Sequence, residues 1–460
     1  MLPNALKTLG AATSLRQLAP KYQPHISTAA TAFFCRKYTI NRSWVSPRSS
    51  FLKERGGKRP YSQESFFESR MGKTVVLVVG SAVCIGVFAY QGYMFFFGPG
   101  SVYPAEVRKL LREGASTYLQ DSSKQDLNAS AKCYKEALDL LDTKYSMQKD
   151  LEPSSPYVTG ILARLAEVYL KAQDKPSAIY YFKNLISRVF TKEELLDHKL
   201  VVAKLANQEL DKKSIENIMR GIGAMNRLAE TYEIIGDVNA STAPALSPSN
   251  YKNIQEYKNA DDIYTWVLNV VMESYNSHYR NVYVDTENDS NGSSKLTTPD
   301  FDSKTLPKYL SAYMVNTLFF NASNFYSKVG LYGLSTPLLL RASDLLDKSK
   351  KSQSEENVCK SCVILTHLVK IATENNDLEA AKKWIVRGKD QAKLFIQNES
   401  CLQSLVALVF ADGYIKEQEN KLIDARIEYR KALELSKAMA YEEGETNASE
   451  SIARISLILK

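Results

Sequence analysis

Histidine, the side chain that most often acts as a general acid or base in active sites, is scarce in this sequence. It contains four His in 460 residues, and they lie far apart, without the paired spacing of a metalloprotease helix. No Gly-x-Ser-x-Gly nucleophile elbow occurs. The Gly-Lys-Thr at 72–74 is not a phosphate-binding loop, because Phe67 stands where that loop requires Gly. These absences predict a protein that is not an enzyme and that has no cofactor and no small-molecule substrate.

Cysteine is also scarce, with six residues in the whole chain. Cys359 and Cys362 form a close pair, and His367 follows five residues later. In an oxidising compartment such a pair could be oxidised or could bind a metal, but structural zinc sites generally need a second pair or spaced His. The favoured interpretation is that both Cys are small packing residues on one helix, so no metal site is predicted.

Acidic residues are nearly absent from the start of the chain. Residues 1–60 contain eleven Lys or Arg and one acid, Glu54, together with many Ser, Thr and Ala. This composition is typical of a mitochondrial transit peptide, and a disordered basic tail is the alternative. The Arg-Pro-Tyr that ends at Tyr61, before Ser62, has the pattern of a matrix processing signal and predicts cleavage between these two residues. The Arg-Lys-Tyr before Thr39 is a second candidate.

The rest of the chain carries almost no net charge. The whole sequence has 59 basic and 51 acidic residues, a net charge of +8. Without residues 1–60, 48 basic and 50 acidic residues remain, a net charge of −2. The basic character therefore belongs to the targeting segment, and the sequence gives no electrostatic reason to expect nucleic-acid binding.

One long apolar segment, Thr74–Phe97, contains no charged residue. As a helix it would extend about 36 Å, enough to cross a hydrocarbon core of about 30 Å with some tilt. Tyr90 and Tyr93 suit a membrane interface, and the Gly-Pro-Gly at 98–100 ends the helix. The segment predicts a single transmembrane helix in a lipid bilayer, and a buried helix of a soluble protein is the alternative.

The charges that flank this segment predict its orientation. Arg70 and Lys73 precede it, and no basic residue follows until Arg108. With the matrix as the inside, this asymmetry agrees with the positive-inside rule. The predicted location is the mitochondrial inner membrane, with a single pass, the N-terminus in the matrix and the C-terminal domain in the intermembrane space.

The remaining chain has apolar residues at three- and four-residue spacing, which is typical of helices. Residues 165–186 match a tetratricopeptide repeat, in which two helices pack closely through small residues and aromatic side chains fill the space beside them. The predicted packing residues of this copy are Leu165, Ala166, Tyr169, Ala178 and Phe182.

A second copy is interrupted by an insertion that has the composition of a loop. Its predicted packing residues are Leu228, Ala229, Tyr232, Ala260 and Tyr264. Weaker copies lie at 110–141, 321–346, 368–388 and 410–435. Six copies in order favour a helical solenoid over the alternative, a generic helical bundle.

The predicted fold class is all-α, with a single N-terminal transmembrane helix followed by a degenerate tetratricopeptide-like helical solenoid. The predicted segments are a transit peptide (1–61), a matrix segment (62–73), the membrane span (74–97), a first repeat segment (98–283), a polar loop (284–307) and a second repeat segment (308–460).

The periodicity also places candidate partner-binding residues in the groove of the array. They are Glu167 and Lys171 in the best copy and Arg227 and Glu230 in the second copy. Both signs of charge are present, so binding is expected to depend on apolar contact and only modestly on salt. Some tetratricopeptide proteins bind the two carboxylates of a chaperone tail with Lys, Asn and Arg on helix A. In the best copy the corresponding residues are Ala163 and Glu167, which cannot bind a carboxylate. In the second copy Asn226 and Arg227 could contribute, but the negative charge of Glu230 opposes them.

The order of these segments, with "LAEVYLKAQDKPSAIYYFKNLISRVF", "YKEALDLLD" and "YRKALELSKAMAYEEGETNASESIARI", resembles one family. It looks like the tetratricopeptide adaptor subunit of the mitochondrial inner-membrane i-AAA protease supercomplex, or a paralogue of it. The resemblance implies a non-enzymatic protein that binds the AAA protease complex and helps to deliver unfolded membrane-protein segments. The alternative is a membrane-anchored import receptor or assembly cochaperone of mitochondria.

Overall fold

The computed structural model describes residues 102–119, 124–148, 150–207, 210–240, 249–279, 305–347 and 354–459. Every regular element in these ranges is helical, which confirms the all-α prediction. The predicted transit peptide, the cleavage site at Tyr61 and Ser62, the matrix segment and the membrane span (74–97) lie outside them, as does most of the predicted polar loop. Among the described helices, none is both long and apolar enough to cross a bilayer.

The chain divides into two compact units between Ile371 and Ala372. The division falls within a helix, Glu355–Glu374, and not at the polar loop (284–307) that separates the two predicted repeat segments.

The first unit begins with two helix pairs. Helix α1 (Ala105–Leu119) packs against α2 (Lys124–Leu140), which continues as a π-helical turn at Leu141–Tyr145. Helix α3 (Pro156–Lys171) packs against both α2 and the helix that follows it, α4 (Lys175–Val189). Each new helix thus covers the second helix of the preceding pair, as in a stack of repeats.

Local sequence explains where α3 and α4 begin. The Ser155 side chain accepts a hydrogen bond from the backbone N–H of Val158, and Asp174 accepts one from Ser177 (3.2 Å). Such N-cap bonds satisfy backbone donors that have no partner inside the helix. A Pro in the first turn of each helix costs little, because its missing N–H would have no acceptor there.

Two short helices that the sequence analysis did not predict follow α4. They are α5 (Lys192–Leu196) and α6 (His198–Ala206). The indole N–H of Trp266 donates to the carbonyl of Glu194 (3.3 Å), and His198 Nε2 lies 2.9 Å from Glu273 Oε1. These contacts hold the inserted helices against the later helix that carries Trp266 and Glu273.

The interrupted copy forms the longest helix pair. Helix α7 (Lys212–Ala240) packs against α8 (Gln255–Tyr279), and a 3-10 turn at Tyr251–Asn253 lies between them. At Gly236 the helices approach so closely that an added Cβ would lie 2.6 Å from the ring of Tyr257. Only Gly fits this crossing without moving that buried ring.

The first unit continues with α9 (Ala312–Lys328), which packs against α10 (Tyr332–Asp347) and contacts α7 and α8. Helix α11 (Glu355–Glu374) follows. In the second unit α12 (Leu378–Lys393), α13 (Glu399–Gln418), α14 (Leu422–Ala438) and α15 (Glu442–Ile458) pack in chain order, each against the next.

Five of the described helix–helix connections use the same three-residue turn. Its middle residue has a positive φ, and the N–H of the third residue donates to a carbonyl five residues earlier, at 2.7–2.9 Å. This is the Schellman arrangement that satisfies the last carbonyls of a helix. The middle residues are Gln173, Gly330, Asn376, Asn420 and Ala440. The recurring turn shows internal repetition independently of the side-chain pattern.

The predicted packing residues of the best copy lie at the contact between α3 and α4. Leu165, Ala166, Ala178 and Phe182 are buried. Tyr169 is half-buried and stacks on Tyr181, with ring centroids 5.4 Å apart and an interplanar angle of 4°.

In the interrupted copy all five predicted packing residues are buried, Leu228, Ala229 and Tyr232 on α7 and Ala260 and Tyr264 on α8. Burial of these side chains stabilises the unit, because it removes their apolar area from water.

The close Cys pair lies on α11, as expected, but its two members differ. Cys362 is a buried free thiol, and burial raises its pKa to about 12, so it stays protonated near neutral pH. Cys359 takes part in a disulfide bond, so the interpretation of both Cys as simple packing residues is wrong for Cys359. No group of three or more metal-ligating side chains occurs among the described residues.

Candidate functional site on the first helices of the pairs

The first helices of successive pairs, which we call A helices (α1, α3, α7 and α9), present one connected face in the first unit. Helix α7 contacts both α3 and α9. Side chains that project from α3, α7 and α9 form two adjacent groups of ion pairs, one around Arg227 and one around Lys328, which we together call the ladder. Its members are Glu167, Arg227, Glu230, Glu233, Asp237 and Lys328.

Arg227 joins α3 to α7. Its Nε and Nη2 atoms donate to the two carboxylate oxygens of Glu167, at 2.8 and 3.0 Å, and its Nη1 donates to Glu230. Burial alone would lower the pKa of the Arg227 guanidinium, but the hydrogen bonds to Glu167 and the charge of Glu230 raise it. A guanidinium fork that meets a carboxylate with two parallel bonds is a strong, directional pair.

Glu230 connects this pair to α9. Its carboxylate also accepts hydrogen bonds from the amides of Asn226 (3.2 Å) and Asn321. Burial raises the pKa of the Glu230 carboxyl, and the charge of Arg227 acts in the opposite direction. The carboxylate is therefore held by donors from two helices, which fixes the position of α9 against α7.

Lys328 closes the ladder at the C-terminal end of α9. Its ammonium pairs with Glu233 and with Asp237, 2.9 Å away, and the Tyr257 hydroxyl donates to Asp237 (2.7 Å). Burial alone would lower the pKa of Lys328, but the charges of these two carboxylates raise it. Each member of the ladder thus has an ion-pair partner within the unit, although its four carboxylates share only two cations.

The structure brings together three of the four predicted groove residues, Glu167, Arg227 and Glu230. Lys171 points elsewhere on the same face: its Nζ donates to the carbonyl of Tyr118 (3.3 Å) and lies 4.5 Å from the centre of that ring. A charged ligand at the ladder would have to displace internal partners, so the ladder serves mainly to align the A helices.

Exposed apolar side chains beside the ladder were missed by the sequence analysis. Ile234 and Val238 on α7 are 44% and 60% exposed. Tyr313 on α9 is 52% exposed, and the ammonium of Lys360 lies 4.4 Å from its ring centre. Ile234 and Val238 follow Glu230 at four-residue spacing, so the helical periodicity that placed Glu230 in the groove could also have identified them.

The positions of a carboxylate clamp on α7 are already filled. Asn226 and Arg227 bind the carboxylates of Glu230 and Glu167, which come from the same chain. A chaperone tail could bind there only by displacing both. This geometry disfavours a chaperone-tail clamp at Asn226 and Arg227.

The second unit has its own ion pairs between neighbouring helices. Arg454 on α15 donates to both carboxylate oxygens of Glu417 on α13, at 2.8 and 3.0 Å. Lys389 on α12 lies 2.5 Å from Asp412 on α13. Hydrogen bonds from Lys382 and Lys421 lower the pKa of Glu419 to about 2. Each unit therefore aligns neighbouring helices with ion pairs as well as with apolar packing.

Comparisons with known proteins add little to this picture. No family model matches the chain, and no curated protein matches it. Among solved structures, one that it resembles is described as a "Circular tandem repeat protein with novel repeat topology and enhanced subunit contact surfaces". The match has 12% identity and a TM-score of 0.21, and it covers 77% of this chain and 82% of the other. At that score the likeness supports no further conclusion.

Proposed function

We propose that this protein is a non-enzymatic, membrane-anchored adaptor that binds an AAA protease complex of the mitochondrial inner membrane. In this proposal it presents unfolded segments of membrane proteins to the protease. The observation that carries the proposal is the connected A-helix face, on which Ile234, Val238 and Tyr313 expose apolar surface beside a ladder whose charged groups are paired within the unit.

Such a face suits an extended or helical segment better than a small molecule. Its exposed apolar groups are spread over α7 and α9, so a ligand must be long enough to reach several of them. Stacked helix pairs generally bind partners along extended surfaces of this kind. Because the ladder is internally paired, the affinity should come mainly from apolar contact, with modest salt dependence.

The anchor supplies the second part of the proposal. Residues 74–97 have the length and composition of a membrane span, and the segment before them has the composition of a transit peptide. Tethering in the plane of a membrane raises the effective concentration of a soluble domain near a membrane-bound partner. Because the sequence contains no phosphate-binding loop, the energy for unfolding and the cleavage chemistry would come from that partner.

The test is affinity purification from mild detergent, followed by identification of copurifying proteins. We expect an inner-membrane AAA protease and unfolded segments to copurify with the full chain, and both to be lost when residues 101–460 are deleted and residues 1–100 are kept. Replacing 74–97 by an unrelated span serves as the matched control and should retain the segments. If the deletion leaves both the protease association and substrate turnover unchanged, the adaptor proposal is wrong. Recovery of chaperones in place of the protease would favour the import-receptor alternative.

A further inference from the structure

A cavity of about 530 Å³ with mixed polar and apolar walls adjoins the A-helix face in the first unit. Its lining includes three aromatic side chains, Tyr103, Tyr134 and Tyr157, and two guanidinium groups, those of Arg164 on α3 and Arg220 on α7. Arg164 lies one turn before Glu167, and Arg220 two turns before Arg227, so the cavity and the ladder share the same helix stripes.

Two other charged side chains of the cavity are already paired. Lys213 Nζ lies 2.6 Å from Asp150, and Glu216 lies 3.7 Å from Lys212. Neither of these ion pairs involves Arg164 or Arg220, the other two charged side chains that line the cavity.

Arg220 hydrogen-bonds only to neutral acceptors among the described residues. Its Nη1 donates to the carbonyl of Pro156 and to the hydroxyl of Thr159 (3.1 Å). Burial lowers its pKa, and electrostatic interactions with Tyr103 and with Glu216, one turn away on α7, offset this in part. A partly buried cation without a direct counter-ion is unfavourable, so an anion that enters the cavity would gain a charge-assisted hydrogen bond.

Arg164 is the second cation and is more exposed. Its guanidinium carbon lies 5.7 Å from the ring centre of Tyr118, and no carboxylate pairs with it within the described ranges. Gly160, one turn earlier on α3, leaves the floor of the cavity open: a Cβ there would lie 3.8 Å from Cζ of Arg220. Residues four apart on a helix are neighbours, so both guanidinium groups border the space above Gly160.

We propose that this cavity binds the carboxylate side chain of an acidic, partly apolar peptide segment. Arg164 and Arg220 pair with the carboxylate, and the tyrosine rings contact the apolar side chain beside it. A peptide fits better than a lone anion, because the cavity is larger than a carboxylate and has aromatic walls. This inference rests on the proposed function, in which the bound segment comes from an unfolded substrate. It adds the chemical character of that segment, which is acidic and partly apolar.

The experiment uses the full chain in detergent micelles and a fluorescein-labelled peptide of alternating Leu, Tyr and Glu. A second peptide has every Glu replaced by Gln. Fluorescence anisotropy should show at least about 10-fold tighter binding of the Glu peptide, as expected for hydrogen bonds between ionised partners. Arg164→Gln should remove most of this preference and leave the affinity for the Gln peptide unchanged.

Two further variants separate binding from folding. Arg220→Gln should also remove the preference, but it loses contacts to α3, so its helicity must be checked by circular dichroism. Gly160→Leu fills the cavity without changing a charge and replaces a helical Gly, a change that favours the helix. It should weaken binding of the Glu peptide to the level of Arg164→Gln.

Arg430→Gln on α14, an exposed site with the same charge change, is the matched control and should bind like the unmodified chain. Equal binding of the Glu and Gln peptides, or the same loss in Arg430→Gln, would overturn the proposal. A third outcome would also overturn it: the chain binds neither peptide but binds phosphatidylglycerol vesicles, and this binding depends on Arg164. That result would assign the cavity to a lipid headgroup. Because no protease is present, the result is independent of whether the adaptor proposal succeeds in the copurification test.

Discussion

Ala178→Trp is expected to lower the unfolding free energy of the first unit by about 3 kcal/mol, the upper end of the usual cost of overpacking. Ala178 has no exposed surface and lies on the face of α4 that packs against the rest of the unit. The backbone of α3 or α4 must move to admit an indole there, because protein interiors are close-packed. Urea unfolding of the full chain in detergent, followed by far-ultraviolet circular dichroism, measures the change.

Tyr180→Trp is the matched control for this substitution. Tyr180 lies on the same helix, is 62% exposed and is already aromatic, so the change should cost less than about 0.5 kcal/mol. If both variants lowered the urea midpoint equally, the assignment of Ala178 to the helix–helix contact would be incorrect.

Arg227→Met is expected to cost about 2–3 kcal/mol. The Met keeps most of the apolar stem but removes the guanidinium, so Glu167 and Glu230 lose their shared counter-ion. Breaking a fully buried pair typically costs about 3–5 kcal/mol, and the Arg227 side chain is 36% exposed, so a smaller loss is expected here. Thermal and urea unfolding of the purified chain measure it.

A second substitution tests the stated cause. In Arg227→Met with Glu230→Gln, the unpaired carboxylate becomes a neutral amide, and about 1 kcal/mol of the loss should return. Lys212→Met removes an exposed ion pair, with Glu216, and should cost no more than about 0.5 kcal/mol. A single Arg227 variant as stable as Lys212→Met would show that the ladder does not align the A helices.

The helix pairs were predictable because the packing rule is local. Small and aromatic residues recur at fixed spacing, as in Ala178 and Phe182 or Ala260 and Tyr264, and this spacing reflects the contact between two adjacent helices. The inserted helices α5 and α6 were missed because they are short. Thr191 and Glu194 form a reciprocal capping box, and that pattern in the sequence could have revealed the start of α5.

The repeated turns carried the usual signal only in part. Gly and, less often, Asn are the expected residues at a left-handed helix end, and three of the five turns have one of them, at Gly330, Asn376 and Asn420. Gln173 and Ala440 also have a positive φ, but these residue types give no such signal in the sequence.

The ladder was only partly predictable for a related reason. Periodicity identified which residues share a face, but Glu167 and Arg227 are sixty positions apart, and their pairing depends on how α3 and α7 pack. The same holds for Arg164 and Arg220, which lie on these helices and border one cavity only in the folded unit.

Site-specific crosslinking tests most directly the central claim that unfolded segments bind to the A-helix face. A photoreactive amino acid is placed at Ile234 or Val238 on α7, and at the exposed Tyr180 on α4 or Leu340 on α10 as controls on the second helices of their pairs. After irradiation with a labelled unfolded membrane-protein segment, crosslinks should form from Ile234 and Val238 and be absent from both controls. Equal or stronger crosslinks from Tyr180 or Leu340 would contradict the claim.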